Sequence, residues 1–489
     1  MTGVLAWHVA PPHPRKPATG IAAAFWTGDA PSRRLIRGST TNALGNAMTI
    51  SRVSRLCTAV LLTAWAITPA RAQEVIDLPA EDRSLTAGFE EVYRIGSIAG
   101  EEWELFTDIA GLAFDARGFL YILDRSESDV RVVVVDDAGG LATAFGRAGE
   151  GPTEFLRLEH IAVWPDGRTI AIDRGHGAYK IFGPDGTFGR AVRIADLPGS
   201  GGGFAATVRP AREGKKLFLT RQSFANVSQG QMDIDMGDRT IYQVILEGDS
   251  AAGKRFAEGW SPTRRAQSSA QVDDPTRVFD AVGDALSFFE PPLAFDVLPG
   301  GGVAYSDSSG YAIRIRESAG SPTLVLRRPL RPEPVTDRIR DRVRQAAMES
   351  FEAQLASTAE AELGPDAPPE ARAMFESMLD GMKGFVEGAR FMPEVPIVRD
   401  VRTTWEGTIW VLRRGSDPVG EALALSDTGE SEPGPVDVLS PEGRYIGTFG
   451  PEETTLPGAF GPAGLVAFVE TDEYDVATIV VKRLPDGVR

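Results

Sequence analysis

The chain has 489 residues, of which 24% are charged, and its formal net charge is −17. A surface this acidic repels nucleic acid and anionic lipid, so we expect neither as a partner. The only cysteine, Cys57, lies in a segment that we predict below to be removed. Disulfides, iron–sulfur clusters and cysteine nucleophiles are therefore not expected in the folded part of the chain.

Residues 48–72 have the three successive parts of a secretory signal peptide. Arg52 and Arg55 supply positive charge, residues 56–67 are apolar, and Ala70-Arg71-Ala72 matches an A-x-A cleavage site. The apolar stretch is shorter than the about 20 residues that span a bilayer. A buried core helix is the alternative interpretation, but the order of the three parts is the order that export requires. We therefore predict an exported protein, either periplasmic or secreted.

Residues 1–47 precede this signal, where a folded domain is not expected. One interpretation is that translation begins at Met48, so that 1–47 is a mis-assigned or unstructured extension. The other is a long basic region that starts with the twin-arginine-like Ser32-Arg33-Arg34. The residues after that motif are not apolar, which favours Met48. Without residues 1–72 the chain keeps 43 basic and 67 acidic residues, a net charge of −24.

Residues 73–90 are predicted to be a linker, and residues 91–489 contain a repeat. Four blocks align without gaps, and their first residues are Gly111, His160, Ala294 and Asp400. Seven residues after each start comes a turn glycine, at Gly118, Gly167, Gly301 and Gly407. Six residues later comes a strand-end residue, at Asp124, Asp173, Asp307 and Arg413. In the first three blocks a basic residue follows after seven more, at Arg131, Lys180 and Arg314.

Each block has the pattern strand, tight turn, strand, polar loop, strand. Such a unit cannot bury both faces alone, but copies stacked around an axis can, and this predicts an all-β, six-bladed propeller. The four blocks are blades one, two, four and five. Residues 204–257 are predicted to form blade three and residues 461–484 blade six. The stretch EVYRIGSI at 91–98 lacks a blade of its own, so we expect it to supply the outer strand of the last blade and close the ring.

One insertion in the ring is predicted to be helical, over about 336–388. Thr336 is a candidate N-cap, and the apolar residues that follow share one helical face, at Ile339, Val343, Ala347, Phe351 and Leu355. A second apolar pattern over 371–386 predicts a helical hairpin between blades four and five. The hairpin is interpreted either as a flap packed on the ring or, alternatively, as a lid or a methionine-rich partner surface.

A glycine-rich stretch, FGRAGEGPTEF at 145–155, joins blades one and two. Related stretches at 94–106 and 448–460 also end just before an innermost strand. None leads into a helix, which a phosphate-binding loop would need. We therefore expect a connection whose Phe155 fills the groove between blades one and two.

Together, the D-x-x-G or P-D-G turn, the strand ending in Asp, the R-V or K-I that follows and the G-x-G-P-x-x-F connection resemble the NHL repeat. The resemblance is to six-bladed propellers of exported bacterial proteins. It implies that the connections between blades and the loops between second and third strands share one face, the top face, where binding is expected. The candidate binding residues on that face are Asp108, His160, His176, Asp296, Arg399 and Arg402.

The repeated Asp124, Asp173 and Asp307 are interpreted as structural. A short carboxylate after a strand accepts backbone N–H bonds of the following turn, and the repeated Arg131, Lys180 and Arg314 can pair with it. A ring of catalytic carboxylates is the alternative interpretation, but repetition in each blade is what a structural device shows.

Candidate catalytic residues are limited to His160 and Asp400. A histidine-ligated zinc, as in an NHL-like lyase, would need a third ligand beside His160 and His176, such as Asp400. Calcium sites of gluconolactonase-like propellers use asparagine, and after residue 72 only Asn226 remains. The spacing in 233–238 does not fit a calcium loop. We therefore expect no metal and no cofactor.

The sequence therefore predicts an exported monomeric scaffold that binds a protein, a peptide or an envelope glycan through its top face. No segment after the leader is apolar enough to be a membrane helix. The alternative is a hydrolase or lyase with its site at the central opening of the ring.

Overall fold

The computed structural model describes residues 73–489 with internal gaps. The gaps are 98–99, 126–128, 195–204, 222–223, 229–230, 236–237, 249, 262–267, 272–286, 322, 363–379, 385, 424–431 and 472–475. Residues 1–47 and the predicted signal peptide 48–72 lie outside the described residues.

Six sheets, each of four antiparallel strands in radial order, form the six-bladed β-propeller that the repeat predicts. Blades one and two comprise, from the inner edge outward, Ile109–Phe114, Leu120–Arg125, Val130–Val135 and Leu141–Phe145, then Leu158–Val163, Thr169–Asp173, Ala178–Phe182 and Phe188–Arg193. Blades three and four comprise Ala205–Pro210, Lys216–Arg221, Thr240–Glu247 and Ser250–Glu258, then Ala294–Val297, Val303–Ser306, Ala312–Arg316 and Leu324–Arg327. Blade five comprises Val398–Thr403, Ile409–Arg413, Val436–Leu439 and Tyr445–Phe449.

Blade six joins the two ends of the described chain. Its inner strands are Ala459–Phe460, Leu465–Thr471 and Ala477–Arg483, and its outer strand is Glu90–Ile95, which pairs antiparallel with Ala477–Arg483. The predicted closure of the ring by EVYRIGSI is thus confirmed. Because the outer strand comes from the other end of the domain, closure requires contacts between residues nearly 400 positions apart.

The segment 73–90, predicted to be a linker, contains two short strands. Glu74–Asp77 pairs in parallel with Leu324–Arg327 at the outer edge of blade four. Ser84–Leu85 pairs in parallel with Tyr445–Phe449 at the outer edge of blade five. The segment therefore covers two exposed sheet edges, which otherwise present unpaired backbone groups.

The hydrophobic core lies between neighbouring blades. Phe155 shows the principle: its side chain is 1% exposed and packs among residues of blades one and two, with its ring 5.7 Å from that of Phe182. Gly146 has φ +87°, and a Cβ there would lie 2.2 Å from the Phe155 ring. The connection 146–157 therefore seals the groove between the two blades, as predicted.

The predicted helical insertion begins with a helix at Asp337–Glu362, and residues 380–384 and 386–388 are also helical. The rest of the predicted second helix lies outside the described residues. Two short ladders flank the insertion: Glu333–Pro334 pairs with Glu394–Val395, and Ser287–Phe288 pairs with Arg390–Phe391.

Two further elements extend from the ring. Blade five carries a short helix, Pro418–Leu423, and blade three carries a small three-stranded sheet, Phe224–Ser228, Gln231–Asp235 and Ser268–Gln271. Among the described helices, none combines the length and apolar character needed to cross a bilayer.

Candidate functional site: the top face and the central channel

The two faces of the ring differ strongly in the length of their loops. On the bottom face, the turns between first and second strands of blades one to five have five residues each, and those between third and fourth strands have at most seven. On the top face, the loop of blade five spans 414–435, and the connections into blades four and five span 259–293 and 328–397. All the insertions therefore leave the ring from the top face, at blades three to five.

The long helix packs against other top-face elements. Ile339, Val343 and Ala347, three of its predicted apolar residues, are buried, and the first two join a cluster with Phe289, Val395 and residues of the short helix. Arg342 of the long helix also pairs with Asp417 at 3.2 Å. The long helix is thus packed against the short helix and against top-face segments beside blades four and five.

The top face also exposes apolar side chains in three of the connections between blades. Leu105 and Leu156, in the connections into blades one and two, are 49% and 52% exposed, and Trp260, in the connection into blade four, is 43% exposed. Three of the six large apolar residues that are exposed in the described part of the chain therefore lie in connections of the top face, whereas Val75, Leu141 and Val469 lie in strands.

The repeated aspartates accept backbone hydrogen bonds from the connection that enters each blade. Asp124 accepts from the N–H of Thr107 and of Asp108, at 2.9 and 3.1 Å. Asp307 likewise accepts from the Trp260 N–H at 2.8 Å. These donors precede the blade, whereas the sequence suggested donors in the turn after the strand.

The repeated basic residues pair with these aspartates in all three blades. The nitrogen–oxygen distances are 2.9 Å for Arg131–Asp124, 3.3 Å for Lys180–Asp173 and 2.8 Å for Arg314–Asp307. Each pair joins a second strand to its third strand and the incoming connection. A structural role therefore explains why the aspartates and their basic partners recur at the same positions of the repeat.

His176 is part of the same device in blade two. Its Nδ1 lies 2.5 Å from an Asp173 carboxylate oxygen and its Nε2 lies 3.1 Å from the Glu150 carbonyl oxygen. Burial alone would raise the pKa of Asp173, but bonds from the Arg157 N–H, His176 and the Leu156 N–H outweigh it and lower that pKa. His176 thus fastens the connection 146–157 to the blade.

In blade five the charges of this device are reversed. Arg413 stands at the strand end, and Asp437 of the third strand lies 3.4 Å from it. The fully buried Arg328 donates to Asp437 and to Asp82, each at 2.8 Å. Its guanidinium also donates to the carbonyl oxygens of Pro79, Ala80 and Glu81. These residues belong to the segment 73–90, which covers the outer edges of blades four and five and which we call the covering segment. The inverted pair therefore anchors the covering segment to the ring.

The two candidate catalytic residues stand on opposite blades, since blades two and five lie across a six-membered ring. His160 Nε2 lies 3.2 Å from the Ala205 carbonyl oxygen, and Asp400 accepts from the Val401 N–H at 2.7 Å. Burial lowers the pKa of His160 and outweighs the Glu159 carboxylate and the Ala205 carbonyl oxygen, which raise it; the Arg209 and Arg125 guanidiniums add to the lowering. No described contact joins His160 to Asp400.

Asp108 and Arg399, predicted at the top rim, both have ion-pair partners. Asp108 lies 3.9 Å from Arg125, and Arg399 lies 3.1 Å from Glu421 of the short helix. Arg399 therefore ties that helix to the mouth of the channel.

Asp296 and Arg402 do come together on inner strands that line the channel, beside Arg209 of blade three, and Arg212 follows in the bottom turn 211–215. Asp296, on the inner strand of blade four, lies 3.5 Å from Arg209 of blade three and 3.7 Å from Arg402 of blade five. Arg212 stacks on Trp405, 4.5 Å from the ring centroid. We call Arg209, Arg212 and Arg402 the channel arginines.

The sequence analysis missed Arg209 and Arg212 because blade three was not aligned to the repeat. Its turn glycine is Gly214, with φ +73°, which places the start of the register at Thr207. Arg209 then takes the same repeat position as Asp296 and Arg402, two residues after the start. The equivalent residues of blades one and two are Ala113 and Ala162. An alignment through Gly214 would have shown this cluster of charge.

The comparisons with known proteins identify no family. No family model and no curated protein match the sequence, so membership of the NHL family stays a prediction. A search of solved structures found a protein of Bacteroides fragilis described as exported, with TM-score 0.42 and 9% identity, covering 84% of this chain and all of that one.

Two other solved structures are similar over comparable lengths. A member of the DUF4221 family from Bacteroides vulgatus has TM-score 0.39 and 9% identity and covers 82% of this chain and 99% of its own. The virginiamycin B lyase of Staphylococcus aureus has TM-score 0.35 and 8% identity, with coverage of 80% and 99%. The strand pairing described above establishes the ring, and no residue role is transferred from these proteins.

Among the described residues, no group of three or more His, Cys, Asp or Glu side chains is arranged to hold a metal ion. The zinc arrangement of His160, His176 and Asp400 does not form in this structure, because His176 is bonded within the connection 146–157 and Asp400 to its own strand.

Proposed function

We propose that this chain is an exported scaffold that binds a protein, a peptide or an envelope glycan through the top face of its ring. The observation that carries the proposal is the location of the insertions. The bottom face keeps only short turns, whereas the top face carries the long helix, the short helix and the small sheet. Ordering such loops costs conformational entropy without extending the ring, and binding residues commonly lie on loops held by a rigid scaffold.

The exposed apolar residues of the connections support the same face. Leu105, Leu156 and Trp260 lie in the top-face connections into blades one, two and four. Aromatic and aliphatic side chains that are already exposed gain buried area on contact with a partner, at about 25 cal/mol per Å². The packed long helix and the exposed apolar side chains together form an extended surface. Such a surface favours a macromolecular partner over a small molecule.

Export is the second part of the proposal. It is supported by the signal-peptide pattern of residues 48–72. In an oxidising compartment such a chain needs no disulfide, because the contacts between blades supply its core.

The alternative function, a hydrolase or lyase, receives less support from the structure. Its two candidate residues, His160 and Asp400, stand on opposite blades, and each is engaged by a backbone group. A general base and its partner must lie within hydrogen-bonding reach of each other or of one substrate atom.

Site-specific photo-crosslinking tests the proposed face. The full chain with Cys57→Ser accepts a thiol-reactive photo-crosslinker at one introduced cysteine. Leu156→Cys places it on the top face and Leu141→Cys on the bottom face, at leucines that are 52% and 45% exposed. Exposed to an envelope fraction of the source cell, the Leu156→Cys protein should give a discrete crosslinked product. A product from Leu141→Cys alone, or equal products from both, would overturn the proposal.

A further inference from the structure

The channel arginines form a concentration of positive charge inside a strongly acidic protein. The chain carries a net charge of −17, yet three guanidiniums from blades three and five converge in the channel. Only one carboxylate, Asp296, lies within 4 Å of any of them among the described residues. Asp400 and Glu406 act on them from farther away.

The two carboxylate oxygens of Asp296 are shared between its two arginine neighbours and two backbone donors. One accepts from the Val297 N–H and the other from the Thr403 N–H, both at 2.8 Å. The Nε atoms of Arg209 and Arg402 are buried and, at 3.5 and 3.7 Å from Asp296, hydrogen-bond to no described group, whereas their terminal nitrogens donate to the Val208 and Gly458 carbonyl oxygens. A buried donor without an acceptor costs free energy, so such donors in native proteins call for an explanation.

Arg212 is less satisfied still. It has a stacking contact with Trp405, but no ion pair or hydrogen bond to the described residues, and its Nε is also buried. Burial and the neighbouring Arg402 lower its pKa against the pull of Asp296 and Glu406. For Arg209, burial and Arg402 lower the pKa to about 10. The cluster is thus short of negative charge.

From this geometry we propose that the channel arginines bind the carboxylate group of a small ligand. The guanidinium fork matches a carboxylate, which accepts two parallel N–H bonds. The side chains of Arg209 and Arg402 remain 18% and 17% exposed, so the channel admits solvent to them. The proposal does not depend on the top-face partner.

The charge balance favours a carboxylate over a phosphate. Three arginines against Asp296 alone leave two positive charges, and Asp400 and Glu406 reduce that surplus at longer range. A single negative charge fits this remainder, whereas the charge of about −1.5 to −2 on a phosphate group would exceed it.

Thermal unfolding of the full chain tests the site, with sodium acetate and sodium glucuronate as probes at pH 7 and constant ionic strength. A ligand that binds only the folded state raises Tm in a saturable way. We expect this rise with the carboxylates, and none with chloride. Equal stabilisation by chloride, or greater stabilisation by phosphate than by carboxylate, would overturn the carboxylate assignment.

Arg212→Gln is the informative variant, because it removes a guanidinium that has no ion-pair partner. Without ligand its Tm should equal or exceed that of the parent chain, while its apparent affinity for the carboxylate falls at least about tenfold. Arg212→Lys should bind with intermediate affinity, since charge is kept and the fork is lost. An unchanged response to carboxylate in Arg212→Gln would overturn the proposal.

The matched control is Arg168→Gln. Arg168 stacks on Trp164 at 4.6 Å on the bottom of blade two, in the same way that Arg212 stacks on Trp405, but it has its own partner in Asp166. Its loss should leave the response to carboxylate unchanged. A parallel loss in both variants would indicate a general effect of charge and contradict a specific site.

Discussion

At the scale of single residues, two glycines of the propeller allow the cost of a steric clash to be measured apart from the cost of backbone strain. Gly146 and Gly177 both have positive φ, at +87° and +59°. A Cβ at Gly146 would overlap the Phe155 ring, whereas nothing lies within 4 Å of a Cβ at Gly177. The two positions therefore differ in packing more than in backbone conformation.

We predict that Gly146→Ala lowers the free energy of unfolding by roughly 2–4 kcal/mol, because Phe155 must leave its groove. Gly177→Ala should cost only about 1 kcal/mol, the penalty for a side chain in the left-handed region. Denaturant unfolding of both variants measures the difference. Equal losses would show that Phe155 is not held as the structure describes.

His160 and His176 are the only histidines after the leader, so their titration can be followed by NMR of the ring protons. The pKa of His160 should lie below 6.5, because burial of the ring outweighs the Glu159 carboxylate and the Ala205 carbonyl oxygen, which raise it. As pH falls below 6.5, His160 is protonated in the unfolded chain but stays neutral in the folded chain. His160 therefore lowers the free energy of unfolding towards acid pH. His160→Gln should weaken that dependence. A measured pKa at or above 6.5 would contradict the burial of this ring.

The residue scale also shows why the site was only partly predictable. Asp296 and Arg402 could be placed near the axis because the repeat supplied their register. Arg209 was not placed, because blade three was not aligned to the repeat through its turn glycine, Gly214. The acceptor role of Asp124 was predicted from local turn chemistry, but its donors come from a connection whose position depends on the neighbouring blade.

At the scale of elements, the buried Arg328 links the covering segment to blade five, beside the strand pairing of Ser84–Leu85 and the Arg413–Asp82 ion pair. Arg328 and Arg327 are adjacent, yet their settings are opposite. Arg328 is fully buried between Asp437 and Asp82, whereas Arg327 pairs with Asp77 in solvent, with the side chains 55% and 74% exposed. The neighbours form a matched pair for comparing a buried ion network with a surface salt bridge.

We predict that Arg328→Ala lowers the free energy of unfolding by about 3–5 kcal/mol, because it leaves Asp437 buried beside Arg413 alone. Arg327→Ala should change it by no more than about 1 kcal/mol. Denaturant unfolding of the two variants gives both values. Similar effects would mean that the covering segment is not anchored through Arg328.

The strands of the covering segment could not be predicted from the sequence. Glu74–Asp77 and Ser84–Leu85 have four and two residues, too few for a periodic pattern. Their pairing is parallel and joins residues about 250 and 360 positions apart. Only the outer edges of blades four and five, which are tertiary features, determine that these residues are extended.

At the scale of the whole molecule, the ring depends on closure by Glu90–Ile95. Glu91 and Lys482 are register partners on neighbouring strands. With Cys57→Ser, the pair Glu91→Cys and Lys482→Cys should form a disulfide on mild oxidation, seen as a mobility shift on a non-reducing gel. Glu90→Cys with Lys482→Cys should not, because successive side chains of a strand point to opposite sheet faces. Efficient oxidation of the second pair alone would contradict the closure register.

The fold of the whole molecule was the most predictable level. One register, repeated in four blocks, implies a unit that must stack, and stacking around an axis implies a ring. Function was less predictable, because binding residues belong to insertions that share no pattern with the repeat. The channel arginines were partly predictable. The repeat gives the positions of Arg209 and Arg402, but the residue type at that position differs from blade to blade.

The central claim is that this ring binds its partner through the top face. Hydrogen–deuterium exchange of the chain, alone and with the envelope component captured by crosslinking, tests it most directly. The account predicts slower exchange in the top-face segments 102–108, 147–157 and 414–423 and unchanged exchange in the bottom turns 115–119, 164–168, 298–302 and 404–408. Protection confined to the bottom turns would contradict it.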